Sequence, residues 1–133
     1  MTAEPDIAVP LRGQQIGAPD AAFVVAEWED DGKTTSADLP IAPLHVHHAD
    51  DEAWYVLEGT MGFRLGDRVV EAGPGSAVFV RRGVPHTFWN ATREPARYLL
   101  IMSAGIARLI EELHSGGDNV PAVFAKHDSQ LLA

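Results

Sequence analysis

From Ala22 onward the chain runs in short apolar bursts, each closed by turn-forming residues. AFVVAEW (22–28) is rich in β-branched and aromatic residues, which suits a strand, and it stops at EDDGK, where Asp31-Gly32 signals a turn. After a stretch punctuated by Pro40 and Pro43 come WYVL (54–57), MGFRL (61–65), RVV (68–70), AVFV (77–80), HTFW (86–89) and YLLIM (98–102), parted by Gly, Pro, Asp or Asn. Many short strands, with no helical period before residue 105, predict an all-β sandwich or barrel and not alternating β and α units. Helix enters at the end. In GIARLIEELHSGG the residues Ile106, Leu109, Ile110 and Leu113 fall at i, i+3, i+4 and i+7, and Gly116-Gly117 gives a stop. PAVFAKH, opening with Pro121, is predicted as a second short helix.

This pattern divides the chain into an N-terminal arm over 1–20, a β-barrel over 21–104 and a helical tail over 105–133 that packs on the barrel. The arm mixes Pro, Gly, Gln and acidic residues without a period, and is expected to order only against a partner surface. At 133 residues and 46% hydrophobic, the chain has the size and composition of one domain with an ordinary core. A net charge of −9 without a Lys/Arg cluster argues against nucleic acid as a partner. Having no cysteine, the chain has neither disulfides nor thiolates, so a metal would be held by nitrogen and oxygen donors. No apolar run reaches membrane-spanning length and the first residues carry no leader pattern, so a cytoplasmic protein without a membrane partner is expected.

The densest chemistry is in HVHHADDEAWYVLEG (45–59). On a strand, His45 and His47 point to one face with stems about 6–7 Å apart, a span two imidazoles can close onto one ion. His48 then faces outward, Asp50 and Asp51 form a turn, and Glu52 begins a strand expected to fold back antiparallel, bringing a carboxylate beside the imidazoles. Taken alone, the stretch reads equally as a solvated hairpin tip. The second segment is GSAVFVRRGVPHTFWN (75–90), where a turn at Arg81 to Gly83 leads to His86, with Phe88 on the same face. Two such hairpins can supply three histidines and one carboxylate and leave coordination positions open.

These segments resemble the two motifs of the cupin superfamily. The first, H-x-H-x(4)-E-x(6)-G, is met by His45, His47, Glu52 and Gly59; the second, G-x(5)-P-x-G-x(2)-H-x(3)-N, by Gly75, Gly83, His86 and Asn90. Leu39 stands where the family has a glycine and Arg81 where it has a proline; both are turn positions and neither is a ligand. The resemblance, to small single-domain cupins of the quercetin-dioxygenase-like kind, covers roughly residues 40–102. It implies an antiparallel double-stranded β-helix, or jelly roll, with a short C-terminal helical segment. It also implies one divalent transition metal (Fe, Mn, Cu, Ni or Zn) bound by His45, His47, Glu52 and His86, and assembly as a homodimer.

Strand parity puts Trp54 and Val56 on the face of Glu52, Phe88 on that of His86, and Met61, Phe63 and Leu65 inward as well. Trp54, Val56, Met61, Phe63 and Phe88 are therefore the expected small-molecule contacts, Trp54 foremost, since in a small barrel core side chains double as pocket wall. Tyr55 and Trp89 point outward and suggest a dimer face or packing under the arm. His114 and His127 are expected to face solvent. No second inward His or Lys is visible, which favours metal-centred chemistry with Glu52 doubling as a base. A mostly apolar wall suits an aromatic or enolic molecule better than a sugar phosphate, unless Arg64 or Arg81 reaches in. The leading expectation is a dioxygenase-like oxidoreductase; the alternatives are a non-catalytic metal-dependent binder, a cupin isomerase or epimerase, and a purely structural barrel.

Overall fold

The computed structural model describes residues 6–116 and 119–132. In chain order its elements are β1 (Gln15–Ile16), β2 (Val24–Asp30), β3 (Ala42–His47), β4 (Glu52–Glu58), β5 (Met61–Leu65), β6 (Arg68–Ala72), β7 (Ala77–Val80), β8 (His86–Asn90), β9 (Ala96–Met102), α1 (Ala104–His114), α2 (Val120–Lys126) and β10 (Ser129–Leu131). They form two antiparallel five-stranded sheets, ordered β1-β2-β9-β4-β7 and β10-β3-β8-β5-β6. From β2 to β9 the chain passes from one sheet to the other at every connection except the β5–β6 hairpin. That winding is the double-stranded β-helix expected from the motifs.

The same winding corrects the predicted hairpins. Glu52 does begin β4, but β4 pairs with β7 and β9, whereas β3 pairs with β8 and β10. Likewise β7 and β8 lie in opposite sheets. Both connections are corners between facing sheets: period-two alternation fixes which face a side chain takes, but not which strand lies alongside. The two corners are tied together. Gly83 N donates to His47 O at 2.7 Å, and Asp51 Oδ1 accepts from Arg82 N at 2.8 Å while Arg82 also reaches both Asp51 oxygens with its guanidinium.

Inward side chains of the two sheets interdigitate into one core, including Val24, Ala26, Trp54, Val56, Met61, Phe63, Phe88, Leu100 and Met102. Each large apolar side chain so buried stabilises the fold by about 1.5–3 kcal/mol. At the end of β4, Gly59 turns with φ of 79°, and a Cβ there would lie 2.7 Å from Pro95 O; only glycine fits. Of the outward aromatics, Tyr55 is exposed, joined on its sheet by exposed Phe79, whereas Trp89 lies across Gly62, the space being free because Gly62 has no side chain.

Both helices form where expected. Ser103 caps α1 by accepting from Ile106 N, and Asn119 caps α2 by accepting from Ala122 N, with Pro121 in the first turn, where no backbone donor is needed. After Ser115, Gly116 takes φ of 86° and ends α1; Gly117, the other half of the predicted stop, is outside the described residues. Two short strands were not predicted. β1 lies within the arm and pairs with β2, and Gly13 N donates to buried Glu27; β10 pairs with β3. Residues 1–5 of the arm are also outside the described residues. Among the described residues no helix is long and apolar enough to cross a membrane.

Candidate metal centre

The inner face of β3 ends in His45 and His47, Glu52 opens β4 across the corner, and His86 opens β8, paired directly with His45. Their four ligand atoms lie within 4.8 Å of one another and all four residues are buried. The ring centroids of His45 and His86 are 4.3 Å apart, those of His45 and His47 4.8 Å, and those of His47 and His86 5.3 Å. Asp50 and Asp51 lie in the corner between β3 and β4, and His48 is exposed.

Hydrogen bonding fixes which imidazole nitrogen faces inward. His45 Nδ1 lies 2.6 Å from Pro43 O and His86 Nδ1 2.9 Å from Val84 O, and a carbonyl can only accept, so both Nδ1 atoms carry the hydrogen. His47 Nδ1 is 2.7 Å from Ser129 Oγ; that hydroxyl donates onward to His127 O, so it too accepts from the imidazole. Three bare Nε2 atoms are therefore turned toward one carboxylate. His86 Nε2 stands 2.9 Å from Glu52 Oε1, and His47 Nε2 stands 3.4 Å from the same oxygen, a buried nitrogen with no hydrogen-bond partner. Lone pairs facing a carboxylate at these distances call for a cation between them, and this donor set fits a divalent transition metal.

The electrostatics agree. Burial and the neighbouring His86 push His45 down to about 4, which keeps its ring neutral and able to bind metal. Burial alone would raise the Glu52 carboxyl, but the close approach of the His47 and His86 imidazoles outweighs it and holds the group well below the usual carboxylate range.

His45, His47 and Glu52 of the cluster border a cavity of about 420 Å³ that side chains of both helices also line. Phe88, Leu100, Ile106, Leu109, Ile110 and Phe124 supply apolar wall, and Trp28, Asp30, Tyr98 and His114 also border it. Of the expected small-molecule contacts, Phe88 lines this cavity. Trp54, Val56, Met61 and Phe63 lie behind the cluster in the packed core, Trp54 with its ring centroid 5.8 Å from that of His86. Arg64 and Arg81 stay outside, and among the described residues no Lys or Arg borders the cavity. His114 does not simply face solvent: its ring meets Trp28 edge-on at 5.6 Å. Nor does His127, whose side chain is 11% exposed and bonds Glu112. The wall residues that sequence reasoning missed are Trp28, Tyr98, the α1 residues and Phe124; of these, Tyr98 shares the inward parity of Leu100 and Met102 on β9 and was open to the same argument.

Residues 39–102 match the family model described as cupin domain. Among solved structures, the TT1209 protein of Thermus thermophilus is 26% identical, with 61% of this chain and 71% of that one covered at a TM-score of 0.52. The polyketide cyclase RemF of Streptomyces resistomycificus is 36% identical over 62% of this chain and 54% of its own, with a TM-score of 0.51. The cupin domain of Schizosaccharomyces pombe Cnp3 shares the fold at 15% identity, with 79% of this chain and 71% of that one covered and a TM-score of 0.56. No curated protein matches the chain.

Proposed function

We propose that this chain, which matches the cupin domain over residues 39–102, is a metal-dependent enzyme acting on a small, largely aromatic, enolisable ketone. The observation that carries the reading is the orphaned His47 Nε2 among three bare imidazole nitrogens and Glu52, beside an apolar cavity large enough for such a molecule. His45, His47, Glu52 and His86 would hold the metal, which when bound supplies polarisation of a carbonyl or enol oxygen. Phe88, Leu100, Ile106 and Leu109 keep water from the reacting carbon, and the ionised Glu52 carboxylate is available to take a proton from the substrate. Absence of any Lys or Arg side chain from the described wall, with Asp30 and Glu29 at its edge, disfavours phosphates and dicarboxylates.

For such a substrate the similarity to a polyketide cyclase supports ring closure as the reaction. Dioxygenation, expected from the resemblance to quercetin-dioxygenase-like cupins, is the second reading, compatible with an imidazole and carboxylate donor set that accepts redox-active iron, copper or manganese. The test begins with elemental analysis of protein purified without a chelating tag, followed by incubation with a panel of aromatic diketones and mass spectrometry. Loss of water from a diketone supports ring closure and a gain of two oxygen atoms supports dioxygenation. Metal-loaded protein that leaves the whole panel unchanged would overturn the enzymatic reading in favour of a binder.

A further inference from the structure

Tyr98 is a polar residue of the cavity that takes no part in the metal cluster. It lies at the centre of β9, paired with Trp28 on β2 and Val56 on β4, and is 4% exposed. Its ring meets Phe88 edge-on, at 5.8 Å between centroids, and its side chain borders the same cavity as His45, His47 and Glu52. Among the described residues its hydroxyl has no hydrogen-bond partner. Asp30, whose charge is felt at the Tyr98 hydroxyl without a hydrogen bond to it, has its Oδ2 engaged by Gly32 N, Thr35 Oγ1 and Asn90 Nδ2, in the knot that holds the ends of β2 and β8 together. Burial is the main cause that raises the Tyr98 hydroxyl above the ordinary tyrosine value, with the charges of Asp30 and Glu52 adding to it, so it stays protonated and offers a hydrogen to whatever enters.

A hydroxyl that no protein group engages and that borders a cavity finds its partner in water or in a ligand. We propose that Tyr98 is a specificity-determining residue that donates a hydrogen bond to a second oxygen of the ligand, remote from the oxygen held at the metal cluster. The ligand class is then a planar, neutral, mainly apolar molecule with two separated oxygen functions. One is seated at His45, His47, Glu52 and His86 and the other at Tyr98, with Phe88 against the ring between them. This rests on the metal-bearing cavity proposed above, and deepens it from a general aromatic ketone to one with two oxygen-bearing ends.

The test uses the zinc-loaded full chain, its Tyr98→Phe variant and two absorbing probes. 1-Hydroxyanthraquinone carries a hydroxy-ketone edge for the metal and a further carbonyl across the ring system; 1-hydroxy-9-fluorenone carries the same edge and no further oxygen. Wild type is expected to bind the anthraquinone more tightly, and Tyr98→Phe to weaken that binding about tenfold while leaving the fluorenone unchanged. Zinc content should be equal in both proteins, and the variant should melt no lower than wild type, because no internal hydrogen bond is lost. Equal anthraquinone binding by the two proteins, or no binding of either probe by zinc-loaded wild type, overturns the proposal. A lower melting temperature for Tyr98→Phe would give the hydroxyl a structural role and overturn it equally. Failure of wild type to take up zinc would instead overturn the metal reading, so elemental analysis separates the two.

Discussion

Glu52 and Trp54 stand two residues apart on β4 and point the same way, yet they belong to different worlds. Glu52 joins three imidazoles beside the cavity, whereas Trp54 packs against Phe63 and Phe88 with 1% of its surface exposed. The barrel interior thus has two levels. In the lower one Trp54, Val56, Met61 and Phe63 fill the space between the sheets; in the upper one the helices stand off the barrel mouth and leave the cavity over the histidines. Inward parity is common to both levels. What separates them is depth along the strand, and depth is set by how sheets, corners and helices close the two ends, not by any residue's own pattern.

Paired substitutions should pull the levels apart. The largest expected effect is on metal: His86→Ala removes an inward nitrogen that faces Glu52 at 2.9 Å, and bound transition metal, expected near one equivalent in wild type, should fall close to zero while the far-UV circular dichroism stays that of a β-barrel. Phe63→Ala should do the opposite. It opens a void in the lower level and is expected to cost about 3–5 kcal/mol in urea unfolding of the metal-free protein, with the folded fraction still taking up metal. If both substitutions removed metal and stability together, the two levels would be one cooperative unit and the distinction would fail.

A smaller effect should come from a residue that touches neither the metal nor the cavity. Ser129, on β10, is paired with His47 and accepts its Nδ1 hydrogen, fixing the tautomer that turns Nε2 inward. Ser129→Ala is expected to weaken metal affinity about 10–100-fold without abolishing binding, measured by competition with a chelating dye. An unchanged affinity would show that packing between Phe124 and His45, at 5.4 Å between centroids, is enough to orient the imidazoles.

Those contrasts explain what was legible in the sequence. MGFRL and AVFV were delimited to the residue, because a glycine or proline turn stops the chain close to both ends of each. β2 was placed two residues early: its last residues, Glu29 and Asp30, are polar and carry no apolar signal, but they continue the pairing with Arg97 and Ala96. β1 and β10 are two and three residues long, and exist through the strands they pair with. The four metal-ligating candidates were legible because His45 and His47 declare a shared face locally, and because Glu52 and His86 complete two motifs that resemble those of cupins, although the hairpins expected to bring them together are corners between sheets. Ser129 was not, lying 82 residues from His47 in the chain and joined to it only by β10.

The smallest effect should arise at the surface clasp between the two corners, Asp51 with Arg82. The pair is solvent-exposed and bidentate, and hydrogen bonds from the Arg82 side chain and backbone hold the Asp51 carboxyl down at about 2. Because the folded-state value lies below the unfolded one, the clasp stabilises fully above the ordinary carboxylate range near pH 4, and its contribution declines as pH falls from there toward 2. Asp51→Asn keeps an oxygen for Arg82 N but removes the charge. The variant should therefore melt slightly below wild type at neutral pH, with the gap narrowing as acid protonates Asp51 in the wild type and as salt screens the pair. A gap that persists unchanged at high salt would locate the clasp's effect in the backbone hydrogen bond from Arg82 N and not in the charges, which would make the corner geometry, and not the ion pair, the element that holds His47 and His86 at one level.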